Sequence, residues 1–225
     1  MKAVILAAGE GRRMLPLTLT TPKPLLRVSG KAILEHTFES LPDAVSEVVL
    51  VVGHKAQQIR EFCGNMFKGK KISYVHQDTM TGTGGALWQA QQHLSEPFLV
   101  LNADDLYAKE DLEKLAKEDW AALVYQAQSP QKVAAVSLDE QGNIRSIVEG
   151  SAGASEKPLI NTGVYALTPE IFGYTLVPKS PGSEEFGLPQ TRLTRERALR
   201  AVHATKWFSM TDPSDIARAE GFLKK

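Results

Sequence analysis

The amino-terminal run Lys2-Ala3-Val4-Ile5-Leu6 is apolar after its lysine and leads, through Ala7-Ala8, into Gly9-Glu10-Gly11-Arg12-Arg13. That pattern predicts a strand entering a functional turn, not a shortened signal peptide. Pro16, Pro22 and Pro24 punctuate the next stretch, so it predicts a long ordered loop. Between Gly30 and Pro42, the residues Ile33, Leu34, Thr37, Phe38 and Leu41 fall at helical spacing, and Glu47-Val48-Val49-Leu50-Val51-Val52-Gly53 reads as a strand buried on both faces. Strand, loop, helix and buried strand in this order open an α/β layer architecture.

The alternation continues. Short helices are predicted over 54–62, 83–93 and 109–118, with strands over 71–75, 97–101 and 120–126. The expected fold is therefore α/β, with a mostly parallel central sheet flanked by helices. From Lys132 the pattern shifts to shorter strands at 133–138, 144–149 and 159–167, with 139–143 as a turn and 150–158 as a mobile loop over a cleft. Thr168 and Pro169 predict a capped short helix to Tyr174. A loop over 179–189 and a helix to Arg197 follow, then a strand over 201–207 and a last helix capped by Asp212. One domain over 1–225 is expected, with a core over about 1–130 and a second region over 131–205.

Lys plus Arg and Asp plus Glu both number 26. Any anion site must be built locally, and the basic stripe of a nucleic-acid binder is not present. The single Cys63 excludes an intramolecular disulfide. No segment approaches the roughly 20 apolar residues of a membrane span, so the expectation is a soluble cytoplasmic protein without membrane or nucleic-acid partners. His36, His54, His76, His93 and His203 lack zinc-ligand spacing.

Three islands carry chemistry. Gly9 and Gly11 permit positive φ and let peptide N–H groups approach phosphate oxygens, with Arg13 offering a planar fork and Lys23 a compact charge. An ordinary tight turn with two solvent-facing arginines is the competing reading. Neither the P-loop nor the dinucleotide-binding glycine spacing is present. In the second island Gln77 can read a nucleobase edge through its amide, and Gly82 and Gly84 would admit base or ribose close to the backbone. The third, Asn102-Ala103-Asp104-Asp105, puts carboxylates at the end of a buried strand, where they suit Mg²⁺ or simply solvate a turn.

The segment 2–34, with its Gly-x-Gly-Arg-Arg-Met turn and Pro22-Lys23-Pro24, resembles the sugar-phosphate nucleotidyltransferase family. The resemblance implies a Rossmann-like nucleotidyltransferase fold with a small sugar-side β subregion, the 131–205 part. It makes Leu6, Ala8, Gly9, Gly11, Arg13, Gln77, Gly82, Thr83 and Asp104 the nucleotide-binding residues, with Arg13, Lys23 and Asp104 catalytic. On the sugar side it points to Asn102, Glu149, Asn161, Thr162 and Gly163. Asp104 becomes the Mg²⁺ ligand. The family's second metal-binding aspartate falls on Ser209, so Ser209 and Asp212 are the remaining candidates for a metal contact.

The implied reaction is Mg²⁺-dependent transfer of a nucleoside monophosphate from an NTP to a sugar 1-phosphate, with release of pyrophosphate. UTP is favoured and dTTP is the next choice. Guanylyl or cytidylyl transfer to a phosphorylated sugar or alcohol stays open, as does a catalytically weakened nucleotide-sugar-binding regulatory protein. A homo-oligomer is compatible with all of these.

Overall fold

The computed structural model describes residues 1–128, 133–151, 156–188 and 197–224. It begins with strand β1 (Lys2–Ala7), a loop of short 3₁₀ turns, the small ribbon β2 (Arg27–Val28) and β3 (Lys31–Ala32), helix α1 (Ile33–Ser40) and strand β4 (Glu47–Val52). Then come α2 (Ala56–Cys63), β5 (Met66–Phe67), β6 (Lys70–His76), α3 (Gly82–Gln89), β7 (Phe98–Asn102), β8 (Asp105–Tyr107), α4 (Lys109–Leu115) and β9 (Ala121–Gln126). The second part holds β10 (Val133–Leu138), β11 (Asn143–Ser151), β12 (Leu159–Leu167), β13 (Leu199–Ala204), β14 (Trp207–Ser209) and α5 (Asp215–Leu223). No helix among the described residues is long and apolar enough to cross a membrane.

The main sheet has the order β10-β11-β13-β9-β12-β7-β1-β4-β6-β5. Strands β7, β1, β4 and β6 are parallel neighbours, while β12 runs antiparallel between β7 and β9. The two-residue period of a strand sends its side chains to opposite faces. Ala3, Ile5, Val48, Leu50 and Leu99 therefore meet Leu34 and Phe38 of α1, Ile59 of α2 and Leu112 of α4. Val4, Val49, Val51 and Val100 face Ala86 and Leu87 of α3. Each large side chain buried this way stabilises the fold by about 1.5–3 kcal/mol.

Five local readings are corrected or left aside. Asp105–Tyr107 does not end in a turn but forms β8, which pairs antiparallel with β14 and sets Asp105 opposite Ser209. Thr168 precedes the expected short helix, a 3₁₀ turn over Pro169–Gly173, but its buried hydroxyl has no hydrogen-bond partner among the described residues and does not cap the turn. Asp212 does not cap α5 either. Its carboxylate accepts from Ser214 in a local turn, whereas the buried Asp215 accepts from the N–H groups of Thr211 and Asp212. Residues 152–155 of the expected loop, and the helix expected before Arg197 over 189–196, lie outside the described residues.

One buried side chain anchors the turn into β14. The fully buried Asp111 of α4 accepts from the Thr205 N–H at 2.6 Å, the Thr205 hydroxyl at 2.8 Å and the Lys206 N–H at 3.2 Å. Replacing Asp111 with Ala leaves those donors unsatisfied at about 1–3 kcal/mol for a stranded group. Urea titration of Asp111→Ala should show a loss of roughly 2–4 kcal/mol; a midpoint unchanged from wild type would mean the anchor contributes nothing.

Candidate functional site

Two cavities open at the carboxyl ends of the parallel strands and share Leu6, Arg13, Thr83, Asn102 and Thr211 on their rims. They form one continuous cleft. The first, about 580 Å³, is lined by Leu6, Ala8, Gly9, Gly11, Arg13, Lys23, Gln77, Gly82, Thr83 and Asp104. All residues expected on the nucleotide side thus meet at one place. The second, about 920 Å³, is lined by Asn102, Asn161, Thr162, Gly163, Asp105, Ser209 and Asp212. Glu149 lies on β11, and its side chain is outside the described part of the structure.

The loop after β1 earns its shape from Gly11. This residue is left-handed at φ 65°, and a Cβ there would stand 3.0 Å from both Lys23 Cβ and Thr18 Cγ2. Only glycine tolerates both demands. Gly9 has an ordinary backbone and open space where a Cβ would stand, so its reason is different: it leaves the peptide edge approachable. The neighbouring arginines divide their labour. Arg12 pairs with Glu10, whereas Arg13 makes no hydrogen bond or ion pair among the described residues and faces both cavities.

Lys23 sits deep, 7% exposed, with its ammonium donating to Asp104 Oδ2 at 2.5 Å and to the Met210 carbonyl. Its partner Asp104 is one-third exposed toward the first cavity. Asp105 is buried and faces the other cavity, opposite Ser209. Burial pushes the Asp105 carboxyl up to about 7; the charge of Asp104 adds to this, and Lys23 and the Ser209 hydroxyl partly oppose it.

At the other end of the first cavity the buried Gln77 donates through Nε2 to Thr81 Oγ1 at 3.0 Å, and its carbonyl oxygen makes no hydrogen bond among the described residues. A Cβ on Gly85 would overlap Thr81, so that glycine makes the contact possible. Gly82 and Gly84 have a different reason from the one expected. A Cβ on Gly82 would stand 2.6 Å from the Phe186 carbonyl, and one on Gly84 would stand 2.9 Å from Leu176 Cδ2. These glycines admit another segment of this chain.

In the second cavity, Gly163 is left-handed at φ 78° inside a register shift of β12, and a Cβ there would overlap the Asn102 amide. Asn161 donates to the Tyr165 hydroxyl at 2.7 Å. Thr162 is buried with its hydroxyl donating to the Leu123 carbonyl at 2.8 Å, so that side chain is spent on the sheet. Ser209 and Asp212 both line this cavity, but Asp212 already accepts from the N–H and hydroxyl of Ser214. The cavities also draw on Thr211 at the shared rim, Arg218 in the second and Lys179 with Glu185 in the first, none of which sequence reasoning singled out. None of these stands in a periodic or glycine-flanked pattern that would mark it.

A cleft at the carboxyl ends of parallel strands, with a glycine turn, a buried lysine and a strand-end carboxylate, defines a nucleotide-handling α/β protein. Residues 2–221 match the nucleotidyl transferase family model, and the chain belongs to that family. It is 32% identical to the bifunctional protein GlmU of Methanocaldococcus jannaschii over 228 residues, 99% of this chain and 54% of that protein. The chain thus spans about half the length of that relative. It is 30% identical to the UTP–glucose-1-phosphate uridylyltransferase AglF of Haloferax volcanii, covering 100% of this chain and 97% of that one. A UDP-glucose pyrophosphorylase solved with UDP-glucose shares the fold, with a TM-score of 0.80 at 21% identity over 100% of this chain and 99% of that one.

The raised Asp105 carboxyl makes a pH prediction. From about pH 3.9, where an unfolded aspartate loses its proton, to about 7, the folded chain holds a proton that the unfolded chain has released. Stability therefore falls as pH rises through that window. Asp105→Asn removes the effect, so without divalent cation its melting temperature should gain on wild type from pH 5 to pH 8. A difference constant across that range would contradict the assignment.

Proposed function

We propose that this chain transfers a nucleoside monophosphate from an NTP, UTP first and dTTP next, to a sugar 1-phosphate and releases pyrophosphate. The observation that carries the reading is the single cleft in which the nucleotide cavity meets the sugar-side cavity at Arg13, Asn102 and Thr211. A sugar phosphate already has an anionic nucleophile, so charge neutralisation and in-line positioning are the main tasks. In this reading the unpaired fork of Arg13 restrains the triphosphate. Lys23, anchored between Asp104 and the Met210 carbonyl, holds a fixed positive charge where the leaving group develops. Gln77 presents its free carbonyl oxygen to the base, and Asn102, Glu149 and Asn161 orient the sugar.

The donor chemistry fits Mg²⁺. Among the described residues no group of three His, Cys, Asp or Glu could hold a metal, so Asp104 would hold the ion while phosphate oxygens and water complete its sphere. Bound there, the ion supplies charge neutralisation and polarises the phosphoryl oxygens. Lys23 shares the same carboxylate, which keeps it oriented toward the phosphates.

A second reading, a nucleotide-sugar-binding regulatory protein with weak turnover, is favoured by Ser209, a neutral hydroxyl where the family resemblance expects a carboxylate. Following pyrophosphate release with each NTP, a panel of sugar phosphates and phosphorylated alcohols, and Mg²⁺ separates the readings; saturable nucleotide binding with no product favours the regulator, and guanylyl or cytidylyl products would replace the uridylyl choice. Lys23→Ala should lower turnover by roughly 10²-fold or more with an unchanged far-UV spectrum, and an unaltered rate would remove Lys23 from the chemistry. Because like charges opposite one another in a strand pair are destabilising, a carboxylate at 209 is best tested with its partner neutralised. The double variant Ser209→Asp/Asp105→Asn should strengthen Mg²⁺-dependent turnover; no gain would indicate another metal arrangement.

A further inference from the structure

The segment Leu176–Leu188 crosses the chain far from the glycine turn in sequence and yet forms part of its wall. It folds back on itself through the Pro178–Phe186 bridge, a Lys179 N–H donated to the Glu185 carbonyl at 2.8 Å, and a Ser183 N–H donated to the Ser180 carbonyl at 3.0 Å. Two further backbone bonds dock this strap on the turn before and inside α3. Phe186 N–H donates to the Thr81 carbonyl at 2.9 Å, and Gly84 N–H donates to the Phe186 carbonyl at 2.9 Å. The docking reaches the base end directly, because Thr81 is also the residue that takes the Gln77 amide.

Two charged side chains of the strap line the nucleotide cavity. Lys179 Nζ meets Glu185 Oε2 at 2.9 Å, and Glu185 Cβ stands 3.3 Å from where a Cβ of Gly82 would be. The remaining charges of that cavity lie on the loop after β1 or at the Lys23–Asp104 pair, toward the triphosphate end. If the base lies at Gln77 and the phosphates at Gly11, Arg13 and Lys23, the ribose falls between them, beside Gly82. A carboxylate accepts hydrogen bonds only, and a ribose offers hydroxyl donors, whereas the oxygens of a uracil edge would be repelled.

We propose that Glu185, held in place by Lys179 and by the docked strap, accepts a hydrogen bond from the ribose 2′-hydroxyl and makes the site selective for ribonucleoside over deoxyribonucleoside triphosphates. The inference rests on the nucleotide reading of this cavity. It also accounts for Gly82 and Gly84, since a side chain at either position would push the strap, and Glu185 with it, away from the turn.

UTP and dUTP differ only in the 2′-hydroxyl, so equilibrium titration of the full chain with each isolates the contact. Wild type should bind UTP roughly tenfold more tightly than dUTP, as expected for one charge-assisted hydrogen bond in a partly exposed site. Glu185→Ala should bring the ratio close to one, and Glu185→Gln, whose neutral amide oxygen still accepts, should lower it part of the way, both leaving dUTP affinity within about twofold. A merely structural role would weaken both nucleotides together and keep the ratio. A wild-type ratio near one, or a preference retained in both variants, would overturn the assignment while leaving the nucleotide reading intact. Absence of saturable binding of either nucleotide to wild type would overturn both.

Discussion

The ammonium of Lys23 is the constraint around which the site is arranged. Taking a charge of that size out of water costs several kcal/mol unless fixed acceptors replace the lost hydration. Here they come from two distant places, the Asp104 carboxylate just beyond β7 and the Met210 carbonyl just beyond β14. The loop after β1, the end of the central strand and the last strand are therefore tied at one atom. The acceptors have to be held as well. Strand β14 is paired to β8, and the turn before it hangs on Asp111, so a carboxylate on α4 helps to fix a lysine in a loop many residues earlier.

Much of the first half was legible because its signals are local. The apolar runs at 2–6 and 47–52 are strands whose two faces both meet helices, and the loop glycines and prolines fall where regular structure stops. What escaped needed partners far away in sequence. A three-residue strand such as β8 has too few positions to show a period, and its partner β14 lies about a hundred residues on. Gly82 and Gly84 were visible as unusual, yet the cause, the backbone of Phe186, leaves no trace near them. Thr168 shows the opposite error, a good capping sequence whose hydroxyl the packing leaves alone.

The same limit governs the charges. A chain with 26 residues of each sign says nothing about where a field is built. In the cleft, Arg12 is neutralised by Glu10, Lys23 by Asp104 and Lys179 by Glu185, so Arg13 is left as the cation without a protein counter-ion in the glycine-turn cavity among the described residues. Pairing, not composition, decides which of several basic residues can greet an anion. The family resemblance singles out Arg13 by its place in the motif, and the structure supplies the physical reason, since it is Arg12 that pairs with Glu10.

Strand β12 is hydrogen-bonded to β7 on one side and to β9 on the other, and both cavities draw residues from it or from its neighbours. A sheet laced in this way resists shear and bending between its halves far more than two bodies joined by a hinge. The spacing between the two cavities is thus set by the pitch of neighbouring strands, and any adjustment of the gap falls to the loops and side chains that rim it.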